Sequence, residues 1–494
     1  MVRLLTMFCH RVVRAAVFVA AVIAISSRGF VATAAADDKL LAACSEFLAS
    51  DAPSMSVVAE IESFSGDIDA VIRRLAADVP SDYADVSGVL ANQSFTHPHL
   101  RTSCSDDRLH FFVPDGYEAN KPFGLIIFMH GGGPTTPRDH PLHVVTHPDD
   151  DPAGIGLQPH IAELPFILVA PSAPWNESTG ARWNVSEADA YIRAVIEECC
   201  YRFNIDRDRI VLGGYSMGGF GAYHLCQRLN DRLAGGFVFS GSWKTMHWRA
   251  WTGLPLCLRH GVHDASPPDE NGRGGRPRFT DVFYSRTAVD RLKQLGMNPA
   301  YVEDDGDHAI RPAVNAMRQL AAWIEPLRRE RYPRHVVAVS PRGWRASSDT
   351  ATPHSHWVTI HEVGDGAIEI DRVIREGPAP AFRETAEDFH KQSLHVTTMP
   401  VKAGLVEAKF LSDNRIDIVT ENVRRFSLWF HPQLADFNRP LTVCVNGVAS
   451  THAIRPQLIH ALRSCRRSED RTRIYHSELT ITCEDESRRS EKPE

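Results

Sequence analysis

Residues 210–219 read Ile210-Val211-Leu212-Gly213-Gly214-Tyr215-Ser216-Met217-Gly218-Gly219, and this stretch decides the fold. Its first part is a short apolar strand, and a helical pattern that contains Gly221 follows it. A G-x-S-x-G pattern between such a strand and such a helix predicts a sharp turn with Ser216 at its apex. The neighbouring glycines fit this turn, because a Cβ there would clash with the crossing backbone.

Apolar strands and amphipathic helices alternate around this turn, from about residue 105 to residue 328. The expected strands are residues 109–113, 124–129, 166–170, 209–212, 235–240 and 255–259. A helix is predicted over residues 189–203, with its apolar side chains at helical spacing. Alternation of this kind predicts a mostly parallel sheet with helices on both faces.

Ser216 needs a base, because a serine hydroxyl is otherwise a weak nucleophile. With this type of turn, an acid and then a histidine follow the serine along the chain. Asp264 and His308 follow two successive candidate strands, and the carboxyl ends of parallel strands share one edge of a sheet. We therefore expect His308 to accept the proton of Ser216, and Asp264 to orient the imidazole.

Other acids and histidines lie close to these positions in sequence. His260 and His263 are on the same loop as Asp264, so neither fits the order. Asp304 and Asp307 adjoin His308 too closely to bend back onto its ring, and we expect them to be solvated loop residues.

A second glycine-rich segment follows the strand 124–129, where the chain continues His130-Gly131-Gly132-Gly133. Such a run exposes backbone N–H groups beside the serine turn, where they can stabilise a developing oxyanion. We expect the N–H of Met217 to be one donor, and the N–H of Gly131 or Gly132 to be the second.

These motifs resemble the α/β-hydrolase superfamily, and most of all secreted esterases of the feruloyl esterase and polyhydroxybutyrate depolymerase type. The catalytic domain of prolyl oligopeptidases is also similar. The resemblance covers less than half of the chain and rests on residues 128–133, 206–210, 214–219, 261–264 and 306–308. It implies a serine hydrolase that cleaves carboxylic esters, with Ser216, Asp264 and His308 as its catalytic triad. A polar insert, Pro268 to Arg278, departs from the family pattern.

Two other functions stay open. A serine peptidase of the prolyl oligopeptidase type would use the same triad, but only residues 37–104 are available for the large β-propeller that usually precedes it. A binding protein on a hydrolase scaffold is disfavoured because the triad and the glycine loop are intact. We expect no cofactor and no metal, and a small-molecule or polymeric ester as the partner.

The rim of the predicted site offers three tryptophans. Trp175, Trp183 and Trp243 lie in loops that follow strand ends, and they are candidates for an aromatic wall against the substrate, with ordinary rim packing as the alternative. The loop after the glycines contains His140, His143, His147 and Asp149–Asp151, whose irregular spacing favours a solvated loop over a metal site.

The flanking regions have a different character. Residues 37–104 are predicted to form a helical segment, residues 105–328 the catalytic domain, and residues 487–494 a disordered tail. Residues 332–486 contain short strand-like runs and an Asn446-Gly447 turn, which predict a β-rich, sandwich-like domain.

The first 36 residues are typical of a signal peptide. Arg3, Arg11 and Arg14 precede an apolar run at residues 15–25, which is too short to span a bilayer. We expect cleavage between Ala34 and Asp37, a secreted or periplasmic protein, and no membrane span afterwards; an uncleaved anchor is the alternative.

Charge and cysteine content bound the remaining possibilities. The formal net charge of −7 argues against nucleic acid as the main partner. Export permits disulfides, and a bridge within Cys444, Cys465 and Cys483 is plausible. An odd number of cysteines lies outside the signal region, so at least one is unpaired within the chain.

Overall fold

The computed structural model describes residues 31–50, 52–77, 83–98, 100, 108–151, 154–185, 187–265, 267, 270, 278–309, 314–340, 354–378, 386–412 and 414–483. Most of the predicted signal peptide, most of the polar insert and the predicted tail lie outside these residues. The predicted cleavage window between Ala34 and Asp37 falls within the first described helix.

The helices are α1 (Val31–Ala49), α2 (Met55–Glu62), α3 (Ile68–Ala77), α4 (Leu142–Val145), α5 (Gln158–Ile161), α6 (Glu187–Arg202), α7 (Met217–Leu225), α8 (Phe283–Gln294), α9 (Val314–Ile324), α10 (Ala386–His390) and α11 (Leu458–Ser468). Trp248–Trp251 and Arg278–Thr280 are 3₁₀ turns. The strands of the first half are β1 (Gly88–Gln93), β2 (Leu109–Val113), β3 (Phe123–Met129), β4 (Phe166–Pro171), β5 (Trp175–Asn176), β6 (Gly180–Ala181), β7 (Ile205–Tyr215), β8 (Gly235–Phe239), β9 (Thr245–Met246), β10 (Leu256–Gly261) and β11 (Ala300–Asp304). Those of the second half are β12 (His335–Ser340), β13 (His354–Ser355), β14 (Val358–Val363), β15 (Ile368–Glu376), β16 (Ser393–Val401), β17 (Gly404–Phe410), β18 (Arg415–Glu421), β19 (Val423–Phe430), β20 (Leu441–Val445), β21 (Val448–His452) and β22 (Ser477–Thr482).

Four helices, α1, α2, α3 and α11, form a separate compact unit. Buried apolar side chains from each helix, among them Phe47, Ile61 and Leu462, make up its interior. The Arg466 guanidinium lies 5.1 Å from the Phe47 ring centroid. In the described part of residues 37–104, which is predicted to be helical, the last helix ends at Ala77, and a helix from the predicted β-rich region joins this unit.

The second unit is built around an eight-stranded sheet with the order β1-β2-β4-β3-β7-β8-β10-β11. Strand β2 is antiparallel to β1 and β4, and every pair from β4 onward is parallel. This order, with β2 reversed and a serine turn after the central strand β7, is the arrangement of an α/β-hydrolase fold. The predicted fold class is confirmed, and β1 adds a strand that lies within the segment predicted to be helical.

Helices cover both faces of this sheet, as strand β3 shows. Its residues Leu125, Ile127 and Met129 belong to one apolar cluster, which also contains side chains of α6, α7 and α8. The alternate residues Ile126 and Phe128 belong to another cluster, with side chains of α4, α5 and α9. Because successive side chains of a strand point to opposite faces, the two clusters are two layers of core.

The C-terminal region contributes two further sheets, with the orders β12-β17-β18-β20-β21 and β13-β14-β19-β22. Residues of both sheets, such as Ala408 and Ile418 on one and Val358 and Phe426 on the other, share one apolar core. The predicted β-rich, sandwich-like region is therefore present.

A long hairpin of the C-terminal region, formed by β15 and β16 and here called the hairpin arm (residues 368–401), pairs with strand β9. Strand β15 is antiparallel to β9, with Asp371 opposite Met246. Asp371 also accepts hydrogen bonds from the Trp248 indole (2.9 Å) and the Arg291 guanidinium (2.7 Å).

Buried ion pairs also join the C-terminal region to the part of the chain that forms the eight-stranded sheet. The fully buried Arg473 donates to Asp231 over 2.6 Å, and Arg329 contacts Asp208 (2.9 Å) and Asp470 (2.8 Å). Burial alone would raise the pKa of Asp231, but Arg473 and a neighbouring histidine outweigh it and hold the pKa well below its usual value. Each buried charge therefore has a partner of opposite sign, as low-dielectric surroundings require.

Among the described residues, Cys444, Cys465 and Cys483 form no disulfide with one another, so the expected bridge is absent there. They belong to different elements: strand β20, helix α11 and the end of strand β22. Among the described helices, none is long and apolar enough to cross a membrane.

Candidate active site

Ser216 lies at the sharp turn between β7 and α7. Its backbone has φ 55° and ψ −117°, a conformation that a residue with a side chain rarely adopts. The turn is fixed on both sides, because the Ser216 N–H donates to the Phe239 carbonyl (2.9 Å) and its carbonyl accepts from the Phe220 N–H (3.0 Å). These two hydrogen bonds therefore hold the strained turn, and with it the Ser216 hydroxyl, at the carboxyl edge of the sheet.

Glycines make the close approach around this turn possible. A Cβ at Gly218 would overlap the Met129 carbonyl, and a Cβ at Gly219 would lie 2.8 Å from the Gly241 Cα. A Cβ at Gly221 would overlap the Trp183 side chain. The glycine spacing seen in the sequence is thus a requirement for packing α7 against β3 and its neighbours.

Three of the predicted residues form one hydrogen-bonded chain at this edge. The His308 Nε2 lies 2.9 Å from the Ser216 Oγ, and the His308 Nδ1 lies 2.7 Å from the Asp264 Oδ2. Asp264 follows the end of β10, and His308 follows the end of β11. Because these parallel strands are adjacent, side chains distant in sequence meet beside Ser216.

Asp264 is fully buried and well supplied with hydrogen-bond donors. Its Oδ1 accepts from the Thr280 hydroxyl over 2.8 Å, while its Oδ2 also lies 3.2 Å from the His260 Nε2. Burial by itself raises the pKa of Asp264, but hydrogen bonds from His260 and His308 outweigh it, and the pKa lies below its usual value. The carboxyl group is therefore ionised and fixed in orientation at neutral pH.

The competing residues have other partners. The His260 ring lies between the Ser285 hydroxyl (2.8 Å) and the Thr280 carbonyl (2.6 Å). The His263 Nε2 lies 2.7 Å from Asp305. Asp304 pairs with Arg259, and Asp307 accepts from the Ala309 N–H. Thus His308 alone among these histidines contacts both Ser216 and Asp264.

The Tyr215 side chain contacts the loop that carries His308. Its hydroxyl donates to the His308 main-chain carbonyl over 2.5 Å, and the two ring centroids are 5.2 Å apart. The residue before the serine in the G-x-S-x-G motif thus fixes the backbone that carries the imidazole.

The glycine loop after β3 lies beside Ser216. A Cβ on Gly131 would be 3.3 Å from the Ser216 Cβ, whereas one on Gly132 would overlap the Thr136 side chain. His130 orients the loop, because its Nδ1 lies 2.6 Å from the Gly131 carbonyl and must donate to it. Its Nε2 then accepts from the Ala173 N–H (3.1 Å). Burial lowers the pKa of His130 to about 3, so the ring is neutral.

The three tryptophans are not all at the rim. Trp183 is fully buried and donates to the His130 carbonyl over 3.1 Å. Trp243 is buried against Trp248 and donates to the Tyr284 carbonyl over 3.1 Å. Only Trp175 of the three is open to solvent, at 39 % exposure. The expected wall of three aromatic rings is thus corrected to one exposed ring, because long-range packing turns the other two inward.

Several residues of this region carried no recognisable signal in the sequence. Arg278 is the last residue of the polar insert and Thr280 follows shortly after it, and neither periodicity nor a motif marks them. Tyr215 is within a recognised motif, but its tie to the loop of His308 depends on the tertiary fold. Only the contacts of the folded chain reveal these roles.

Part of the chain is similar to known esterases. Residues 169–282 match the protein family described as phospholipase/carboxylesterase. A bifunctional acetylxylan esterase/xylanase from Neocallimastix patriciarum is 23% identical over 188 residues, covering 37% of this chain and 25% of that protein. A probable feruloyl esterase C from Aspergillus flavus is 31% identical over 168 residues, covering 32% of this chain and 56% of that protein. The chain thus spans a quarter of the first relative and about half of the second.

Solved structures similar to the chain include a thermostable esterase, at 21% identity and a TM-score of 0.36, covering 49% of this chain and 63% of that one. A ferulic acid esterase is 14% identical with a TM-score of 0.36, covering 48% of this chain and 97% of its own. The chain has an α/β-hydrolase fold, and its catalytic part is similar to carboxylesterases.

Proposed function

We propose that the chain hydrolyses carboxylic esters through an acyl-enzyme on Ser216. The observation that carries this proposal is the hydrogen-bonded chain in which the two nitrogens of His308 contact Ser216 and Asp264 at 2.9 and 2.7 Å. For attack at neutral pH, a serine hydroxyl needs a base beside it, and that base needs a buried acid on its other nitrogen. The similarity of residues 169–282 to carboxylesterases supports the same reaction.

The proposed acylation step uses the contacts among Ser216, His308 and Asp264. The Ser216 Oγ attacks the carbonyl carbon of the ester while the His308 Nε2 takes its proton, and the carbonyl oxygen becomes an oxyanion. We assign the stabilisation of that charge to the N–H of Met217, at the start of α7, and to the N–H of Gly131 or Gly132. Asp264 holds the His308 tautomer and stabilises the imidazolium that forms.

The intermediate then collapses. The bond between the carbonyl carbon and the alcohol oxygen breaks, and His308 returns the proton to the leaving alcohol. A water molecule, deprotonated by the same imidazole, attacks the acyl carbon. The bond between that carbon and the Ser216 Oγ then breaks, His308 returns the proton to Oγ, and the carboxylic acid is released. These steps use only side chains and backbone N–H groups of this chain.

The test compares the full chain with a Ser216→Ala variant on p-nitrophenyl acetate and on a fluorophosphonate probe. We expect the substitution to abolish ester hydrolysis and covalent labelling. A control variant, Ser63→Ala, removes an exposed hydroxyl at the end of α2 and should keep both. Unchanged hydrolysis by the Ser216→Ala protein would refute the proposal, and cleavage of dipeptidyl amides without ester hydrolysis would identify a peptidase.

The proposed location is outside the cytoplasm, in the medium or the periplasm. The basic residues before the apolar run at residues 15–25 support it. N-terminal sequencing of the exported protein should find a first residue between Ala35 and Asp37. Recovery of the chain only from the cytoplasm, with residues 1–34 intact, would contradict the proposal.

A further inference from the structure

Two phenylalanine rings lie at the surface beside Ser216. In α7 and the preceding turn, Ser216 and Phe220 are half-buried, whereas the three residues between them are buried. The Phe220 N–H donates to the Ser216 carbonyl over 3.0 Å, so Phe220 lies one helical turn from the serine. The Phe279 ring packs edge-on against Phe220, with centroids 6.3 Å apart and an interplanar angle of 85°.

Phe279 is 43 % exposed, and it lies in the short 3₁₀ turn Arg278–Thr280. The following residue, Thr280, donates to Asp264, and this fixes the backbone of Phe279 at the edge of the sheet. Phe279 is thus tied to the serine through Phe220 and to the acid through Thr280. Because the Phe279 ring is exposed, it does not contribute to the apolar core. It is available to contact a substrate near the triad.

The preceding residue, Arg278, connects the same turn to the C-terminal region. Its guanidinium donates to Asp281 (2.9 Å) and to the Gln392 carbonyl (2.7 Å). The Arg278 guanidinium also lies 4.5 Å from the centroid of the Phe389 ring. Gln392 and Phe389 belong to the hairpin arm, so the C-terminal region braces the turn that presents Phe279.

We propose that Phe220 and Phe279 form an aromatic platform that binds an aromatic or extended apolar group of the ester, an inference that rests on the proposed function. A ring laid against Phe279 would bury apolar surface and gain edge-to-face or offset contacts. The platform is pre-organised by Thr280 and Arg278, so little ordering cost opposes binding. It takes the role that the sequence suggests for Trp183 and Trp243.

The test uses three esters without chromophores, followed by acid release in a pH-stat: ethyl butanoate, benzyl acetate and ethyl 3-phenylpropanoate. For Phe279→Ala we expect kcat/KM to fall about three- to tenfold for at least one ring-bearing ester and less than twofold for ethyl butanoate. The ester that responds shows whether the platform contacts the alcohol or the acyl side. Phe279→Tyr should restore the ratio, because it keeps the ring.

A matched control is Leu295→Ala, which removes another apolar side chain that is 43 % exposed, at the end of α8. It should leave all three rates unchanged. An equal fall for all three esters in Phe279→Ala, or no fall for either ring-bearing ester, would overturn the platform while leaving the proposed function intact. Failure of the unmodified protein to hydrolyse any ester would overturn both.

Arg278→Ala provides a second readout. Arg278 is a positioning residue here, so we expect the same selective loss on the ring-bearing ester, with ethyl butanoate changed by less than twofold. A uniform loss on all three esters would show that Arg278 only stabilises the fold and that the hairpin arm does not shape the platform.

Discussion

The Thr280 hydroxyl donates a hydrogen bond of 2.8 Å to the Oδ1 of Asp264, on the carboxylate whose other oxygen contacts His308. Both side chains are buried, so water cannot replace this donor. Thr280 therefore fixes the plane of the carboxylate and, through it, the direction of the imidazole.

Replacement of Thr280 by Val should remove that donor while keeping the shape of the side chain. We expect kcat to fall about tenfold and the free energy of unfolding to fall by about 1–3 kcal/mol, because a buried charged acceptor loses one hydrogen bond. Steady-state kinetics and urea unfolding measure the two effects. Thr280→Ser keeps the hydroxyl and should retain most of both; equal losses in the two variants would show that the methyl group matters instead.

Tyr215→Phe should loosen the loop that carries His308, since the hydroxyl bonded to the His308 carbonyl is removed. We expect kcat to fall about three- to tenfold with KM nearly unchanged, the range that one hydrogen bond supports. The rate of labelling by a fluorophosphonate should fall by the same factor. A change in KM alone would place the hydroxyl in substrate binding instead.

Gly218→Ala should destabilise the protein, because the added Cβ would overlap the Met129 carbonyl. We expect a loss of at least about 1–3 kcal/mol in unfolding free energy, or failure to fold. Gly133→Ala is the matched control, since a Cβ there meets nothing within 4 Å. Thermal unfolding of the two variants compares them directly, and equal stability would mean that the backbone approach at Gly218 can relax.

Acid should destabilise the fold well before the carboxylates titrate. Burial lowers the pKa of His110 and His247 to about 4 and of His130 and His356 to about 3. The unfolded chain binds a proton at each of these sites below about pH 6.5, and the folded chain does not, so stability falls as pH drops from there toward 4.

Urea unfolding between pH 7.5 and 4.5 measures this slope. His356→Gln should reduce it by up to about 1.4 kcal/mol per pH unit, the contribution of one proton. His390→Gln, at an exposed position on the hairpin arm, should leave it unchanged. A stability that does not vary between pH 7 and 5 would contradict the neutral state of the buried histidines.

Ser216, Asp264 and His308 could be predicted from the sequence because a local motif and the order of the strands are enough to identify them. A motif marks the serine, and strand order alone places the acid and the base at the same edge of the sheet. The burial of Trp183 and Trp243 could not be predicted in this way. Trp183 is buried because it packs on Gly221 and donates to His130, contacts between residues that the chain brings together only on folding.

The C-terminal region shows the same division. Alternating strand-like runs predicted its β-rich character, but not that Leu458–Ser468 would form a helix with the N-terminal helices. Nor did any pattern predict that Asp371 would lie opposite Met246, because pairing between distant strands depends on which edge is left open. Thr280 and Phe279 were missed because their roles arise only where the insert returns to the sheet.

The hairpin arm and Arg473 also bear on the order in which this protein is made. Ser216, Asp264 and His308 precede Phe389 and Arg473 in the chain, so they leave the ribosome before them. Asp231 stays without Arg473, and the turn at Arg278 without the Gln392 carbonyl, until those residues have also been translated. A nascent chain that ends before them would therefore hold Ser216, Asp264 and His308 in incomplete surroundings, and the proposed ester hydrolysis would depend on residues that are translated later.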